Sequence, residues 1–302
     1  MPDLSLKRRH LLLAACCALV FLGAGYLLHA MFRQPLRVPG YPVQRQIQYS
    51  FTLQNRSAKL LERAEFWASA PVKHTGTQRC ERLETSHPYE LLSDDMGNQT
   101  LYFQFHNLPP YATKIVTVKA YLTLSEEPNP LPKAGLEAFL RPEIFCEASS
   151  PEITRLAQTL RSKGSVETAQ RVLEWISSNL KYTGYVRDDR GALYALEHRQ
   201  GDCTEFMYLF TALCRANGIP ARCMGGYLCA EDSVVKPNDY HNWSEFYDGK
   251  VWRLADPQRK VFMRQSAHYI AMRVIGGQSD NSVARFHRFK VAGAGLKVRM
   301  DG

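Results

Sequence analysis

The sequence is poor in local metal-binding patterns. None of its 8 cysteines and 9 histidines falls into C-x-x-C or H-x-x-x-H spacing, so a zinc site built on one short motif is disfavoured. The cysteines after residue 32, namely Cys80, Cys146, Cys203, Cys214, Cys223 and Cys229, show no recognisable disulfide framework, which leaves the redox compartment open. The chain carries a formal charge of +9, yet its basic residues are scattered. Without a Lys/Arg tract or an RNA-binding signature, that charge reads as a generally basic surface, and no nucleic-acid partner is expected. Internal repeats and low-complexity tracts are absent, and a hydrophobic content of 45% suffices for a packed core. No cofactor and no resident metal are expected.

One long uncharged run is present, "LLLAACCALVFLGAGYLLHAMF" at residues 11–32, preceded by "LKRRH". As a helix it spans roughly 33 Å, enough to cross a bilayer. Two processed alternatives are weaker. Ala30 ends a small-residue cleavage site, but the run is long for a signal peptide. "LAAC" ending at Cys16 has the look of a lipoprotein site, but few apolar residues precede it and the run continues beyond. An uncleaved anchor is expected. Lys7, Arg8 and Arg9 on one side nearly balance Arg33, Arg37 and Arg45 on the other. The compact cluster at the N-terminus favours an N-in, single-pass topology with the main body outside the cytoplasm.

Texture divides the rest. A basic segment (1–10), the anchor (11–32) and a Pro/Gly-containing linker (33–43) lead into a stretch at 44–125 that reads as β. "QRQIQYSFTL", "AEFWAS", "TLYFQFHNL" and "KIVTVKAYLTL" alternate or carry branched and aromatic residues, which predicts a small antiparallel sandwich. A proline-rich junction (126–150) follows, then a helix-rich half at 151–300. There Ser150 and Pro151 suit the N-cap and first turn of a helix, and Val172, Ile176 and Leu180 form an apolar stripe on the next. "ARCMGGYLC", "HNWSEFY", "KVWRLAD" and "FHRFKVAGAGLKV" read as strands that end this half. The expected fold class is α+β.

The chemistry centres on "QGDCTEFMYLFTALCRANG" at residues 200–218. Phe206, Leu209, Phe210, Leu213 and Cys214 make an amphipathic helix that Asn217-Gly218 closes. Cys203 then stands in its first turn with Asp202 as N-cap. A helix N-terminus stabilises a thiolate, so a thiol pKa below the free value of about 8.5 is expected. Gly201 is expected to let backbone and substrate approach the sulfur.

A general base is sought in "HNWSEFYDGKVWRLADP", residues 241–257. Asp248-Gly249 between two alternating runs predicts a two-residue hairpin turn, with Tyr247 opposite Lys250. Counting back places His241 opposite Asp256, with Cβ atoms about 4.5–5.5 Å apart. A Cys203–His241–Asp256 relay follows, in which His241 takes the thiol proton and Asp256 holds the imidazole. Trp243, on the His241 face, is expected to shield the site. Each residue alone has a plain structural reading: buried thiol, hairpin histidine, turn aspartate. A zinc site drawing on Cys203, His241 and Cys214, Cys223 or Cys229 is a minor alternative.

These segments, "GDCTEFMYLFTALCRANGIPAR", "HNWSEFY" and "WRLADPQ", resemble the core of the transglutaminase-like superfamily, a branch of the papain-like fold. The resemblance implies helices on an antiparallel sheet, with Cys203 as nucleophile, His241 as base and Asp256 as orienting acid. By the same likeness "NLKYT" approaches the site, which puts Tyr182, with Trp243 and Asp202, at a substrate cleft. Asn242 departs from the small residue of many relatives, and no acidic calcium-binding loops are found. The implied activity is a membrane-anchored thiol enzyme acting on a protein or peptide substrate at a peptide or isopeptide amide, by hydrolysis in preference to transamidation. The rivals are a non-catalytic scaffold of the same fold and a redox thiol protein. The latter lacks a resolving partner, because Cys214 lies about 16 Å along the helix axis.

Overall fold

The structure is a computed structural model that describes residues 40–302 except 133–134, 187 and 277–287. The expected anchor and most of its linker lie outside the described residues. Among the described residues, no helix is long and apolar enough to cross a membrane.

Six strands form first: β1 (Val43–Asn55), β2 (Leu61–Ala70), β3 (Gln78–Thr85), β4 (Glu90–Ser93), β5 (Gln99–Leu108) and β6 (Thr113–Leu124). Alternation drives them. β1 buries Ile47, Tyr49, Phe51 and Leu53 on one face, and β6 opposes it with Val116, Val118, Ala120 and Leu122. β1, β6 and β3 make one antiparallel sheet, and β2, β5 and β4 make the other. The inner faces meet at aromatic rings: Phe51 of one sheet lies 5.0 Å from Phe66 of the other, and Phe66 stacks at 5.7 Å on Phe103 within its own sheet.

The second half contains α1 (Pro151–Leu160), α2 (Ser165–Asn179), α3 (Gly191–His198) and α4 (Cys203–Ala216). Two short strands, β7 (Lys181–Tyr182) and β8 (Gln200–Gly201), pair in parallel just before α4. The remaining strands of this half are β9 (Ala221–Leu228), β10 (Ser233–Val234), β11 (Tyr240–Tyr247), β12 (Trp252–Asp256), β13 (Val261–Phe262) and β14 (Tyr269–Ile275). They form an antiparallel sheet in the order β13-β12-β11-β9-β14, with β10 leaving it to pair with β1. The helix α4 lies on this sheet, with Thr211 hydrogen-bonded to Ser244 at 3.0 Å. It is buried on every side from Thr204 through Arg215, not along one stripe. Its buried charges are therefore paired: Glu205 with Arg190 at 3.0 Å, and Arg215 with Glu143 at 3.3 Å.

The junction at 126–150 is more than a tether, since Cys146 and Ala148 belong to the helical core. The chain end also differs from expectation. β15 (Phe289–Ala292) pairs with β2, and β16 (Leu296–Met300) pairs with β1. Both strands serve the sandwich, where they cover edges that would otherwise expose unpaired backbone.

The two halves share one core. Tyr227, Ile270 and Met272 pack in the same cluster as the sandwich interior. Two buried amides fasten the joint. Gln78 Oε1 accepts from the Ala271 N–H at 2.8 Å, and Gln78 Nε2 donates to the Ala271 carbonyl at 2.9 Å. Asn98 makes the same pair of bonds to Val274, at 2.7 and 3.0 Å. Sandwich side chains thus satisfy backbone groups of β14, where its pairing with β9 breaks register between Ala271 and Arg273.

Candidate active site

Cys203 is the first residue of α4, and the turn before it is tightly specified. Asp202 Oδ1 accepts from Thr204 N at 2.7 Å, and Glu205 Oε2 accepts from Asp202 N at 2.9 Å. This is a capping box, legible in "DCTE" as D-x-x-E. Asp202 Oδ2 also accepts from Val186 N at 2.9 Å, which ties the 182–189 loop to the helix start. Gly201 is needed for a reason other than the one expected. A Cβ there would fall 2.4 Å from Glu205 Cβ, so the capping side chain, not substrate, occupies the space.

The thiol does not show the expected depression. Cys203 is half-buried, and burial is the main cause that pushes its pKa up to about 12. The carboxylates of Asp202 and Asp256 push the same way, against the Asn242 backbone N–H and the Thr204 hydroxyl. The residue that caps the helix thus brings a negative charge to its mouth, which opposes ionisation of the sulfur.

His241 and Asp256 meet, though not by the expected register. Tyr247 pairs with Trp252, because Asp248 Oδ1 accepts from both Lys250 N at 2.7 Å and Val251 N at 2.8 Å and closes a longer loop. The pairing is slipped by two residues, and a two-residue slip leaves every side chain on its face. Asp256 therefore comes level with Trp243, diagonal to His241. His241 Nε2 stands 2.6 Å from Asp256 Oδ2. Asp256 is fully buried and accepts two more hydrogen bonds, from the Tyr269 hydroxyl to Oδ2 at 2.9 Å and from Arg259 N to Oδ1 at 3.0 Å. With Nε2 taken by Asp256, Nδ1 is the ring nitrogen left for another partner.

The Asn242 N–H that favours the thiolate is one residue along β11 from His241. Among the hydrogen bonds of the described residues, none joins the Cys203 sulfur to the His241 ring. Asn242, the departure noted in the sequence, ties the strand to the helix by donating from Nδ2 to Thr204 Oγ1 at 2.9 Å, while its Oδ1 is buried without a hydrogen-bond partner.

A cleft of about 260 Å³ opens onto Cys203. The 182–189 loop contributes Tyr182, Tyr185, Val186 and Asp189. The helix start contributes Asp202 and Thr204, residues 237–242 contribute Pro237, Asn238, Tyr240 and Asn242, and the C-terminal return contributes Arg288. Tyr182 and Asp202 thus stand at the cleft. Trp243 does not line it: its buried ring stacks 6.5 Å from His241 and edge-on to Tyr269 at 5.1 Å, behind the histidine. Tyr269 and Arg288 were missed because both lie outside the resembling segments and carry no local signature. Cys80, Cys146, Cys214, Cys223 and Cys229 are buried free thiols, and no group of three potential metal ligands gathers among the described residues.

Comparison with known proteins places this geometry. The core pattern of the Transglutaminase-like superfamily matches residues 153–257, from α1 to the residue after Asp256. Uncharacterized proteins of Mycobacterium bovis and Mycobacterium tuberculosis are 26% identical over 191 residues, which is 55% of this chain and 59% of theirs. This chain thus matches little more than half the length of those relatives. The crystal structure of a candidate cysteine protease from Cytophaga hutchinsonii superposes with a TM-score of 0.55 at 19% identity, over 86% of this chain and 92% of that one. That likeness concerns the fold.

Proposed function

Residues 153–257 belong to the transglutaminase-like superfamily, and from that premise we propose that the protein is a thiol enzyme acting through Cys203 on a peptide or isopeptide acyl group. The observation that carries this reading is the 2.6 Å His241–Asp256 bond, set one residue from the amide that faces the sulfur. With Nε2 bound to Asp256, Nδ1 takes the thiol proton as sulfur attacks the carbonyl carbon. The N-terminus of α4, with the Cys203 N–H, faces the oxygen that gains charge. His241 then returns the proton to the leaving amine, the C–N bond breaks, and a thioester remains on Cys203. Water, or a second amine, attacks the thioester as His241 takes its proton, and the sulfur leaves with that proton. Water is the favoured acceptor. The uncharged run at 11–32 tethers the enzyme to the inner membrane, with the cleft on the periplasmic side.

A scaffold reading draws on the burial of the thiol beside Asp202, which pushes its pKa up. The two readings part on a covalent product. Full-length protein is incubated with a periplasmic peptide pool and excess of a simple monoamine, then examined by mass spectrometry. An acyl adduct on Cys203, lost in Cys203→Ala, together with free-acid products supports hydrolysis. Amide products in their place would assign transamidation. Absence of adduct and product alike would leave the scaffold.

A further inference from the structure

The cleft contains a cation brought in from outside the superfamily core. Arg288 precedes β15, and its carbonyl accepts from Ser69 N at 2.9 Å, so pairing with the sandwich fixes its backbone. The guanidinium is aimed by two contacts: Nη1 donates to the Pro237 carbonyl at 2.5 Å, and the group lies 5.8 Å from the centroid of the Tyr240 ring. Arg288, Pro237 and Tyr240 all line the cleft that holds Cys203. Among the described lining residues Arg288 is the basic one, and no described carboxylate pairs with it.

The two lining carboxylates are otherwise engaged. Asp202 accepts from Thr204 N and Val186 N. Asp189 accepts from the Tyr208 hydroxyl at 3.1 Å, and its charge is felt by the buried guanidinium of Arg273. Arg288 therefore has a planar fork with donors to spare, the geometry that suits a carboxylate. At about 260 Å³ the cleft is below the roughly 300–1,000 Å³ of typical ligand pockets, so a group bound to Arg288 shares one small cavity with the sulfur.

We propose that Arg288 receives a carboxylate of the acyl donor, so that the substrate is a peptide with an acidic group close to the scissile carbonyl. This rests on the thiol-enzyme reading and gives the sandwich a role in it: the C-terminal return carries the residue that selects substrate.

The test compares an anionic with a neutral alkylating reagent at Cys203, iodoacetate against iodoacetamide, followed by mass spectrometry in full-length wild type, Arg288→Lys and Arg288→Met. Each ratio is taken at one pH within one protein, so thiol ionisation cancels. A sluggish thiol, which would count against the enzyme reading, leaves the ratio readable. The iodoacetate-to-iodoacetamide ratio of wild type should exceed that of Arg288→Met by about tenfold and shrink as salt is raised, with Arg288→Lys retaining most of it. In a Cys203→Ala background, Glu-containing peptides should be retained over their Gln twins, and Arg288→Met should erase the difference. Equal ratios across the three proteins, or equal retention of Glu and Gln peptides, would overturn the assignment.

Discussion

Burial and Asp202 push the Cys203 thiol up to about 12, and His241→Ala leaves both influences in place. At pH 7 such a thiol is ionised to about one part in 10⁵, against about 3% for a free cysteine near 8.5. Ionisation alone makes it roughly 3,000-fold less reactive than a free thiol. The greater nucleophilicity of a more basic thiolate recovers part of this, roughly 40-fold for a Brønsted slope of 0.4–0.5. The net expectation for His241→Ala is disulfide exchange with dithiodipyridine about 10²-fold slower than free cysteine. Its rate should climb close to tenfold per pH unit without levelling through about pH 10. Wild type, with Nδ1 of His241 beside the site as a base, should instead react faster than His241→Ala near neutrality, with a shallower rise across the same pH range. Cys203→Ala supplies the background from the buried cysteines. A wild-type curve overlying that of His241→Ala would show that sulfur and ring do not share a proton and would refute the mechanism.

Three further outcomes follow from the same contacts. Tyr269→Phe removes one donor from Asp256 Oδ2 and leaves the 2.6 Å bond from His241. The carboxylate that holds His241 is then less firmly fixed, so turnover should fall several-fold, with a stability loss of about 1–3 kcal/mol by chemical denaturation. Asp202→Asn keeps the cap to Thr204 N but removes the charge that raises the thiol pKa. In the His241→Ala background its exchange curve should move toward lower pH, and an unmoved curve would mean that burial alone sets the thiol. The third concerns stability at high pH. Burial raises Cys80 to about 11 and Cys223 to about 12, and lifts Cys146 and Cys214 as well. Their folded-state values exceed the unfolded ones, so the native state binds more protons above about pH 8.5 and their contribution is lost as pH rises. Tm should fall from about pH 9 to 11, each thiol contributing up to about 1.4 kcal/mol per pH unit. A flat Tm across that range would contradict burial of these thiols.

The main β-strands and the helices around Cys203 were legible because their burial follows period two or a capped apolar run. β1 and β6 alternate openly, and α1 begins at Pro151 after its Ser150 cap, which accepts from Ile153 N at 3.2 Å. β3 escaped notice because it reads "QRCERLET", where charged residues on an outer strand hide the alternation. α3 was missed for a different reason. Its first residue, Gly191, has a φ of 89° and packs against Glu147, whose carboxylate accepts from Ala192 N and Leu193 N in place of a local N-cap. A cap supplied from more than forty residues away leaves no mark nearby. The C-terminal return was assigned to the wrong half because a strand's own pattern does not name its partner, and β2 and β1 are supplied from the far end of the chain.

The site divides along a similar line. The meeting of His241 with Asp256 depended on parity, not on register. The turn is two residues longer than "DG" implied, yet an even slip preserves the face, and the diagonal pair still closes at 2.6 Å. An odd slip would have turned Asp256 to the opposite face and parted the two. What surrounds the relay has no such protection from local pattern. Tyr269 reaches Asp256 from β14, whose backbone is braced by Gln78 and Asn98 of the sandwich. Arg288 enters the cleft because Ser69 holds its carbonyl. The relay is thus written in two short stretches of the core. The groups that hold and tune it are set by how that core docks on a second sheet system, which is information carried by packing across the whole described chain.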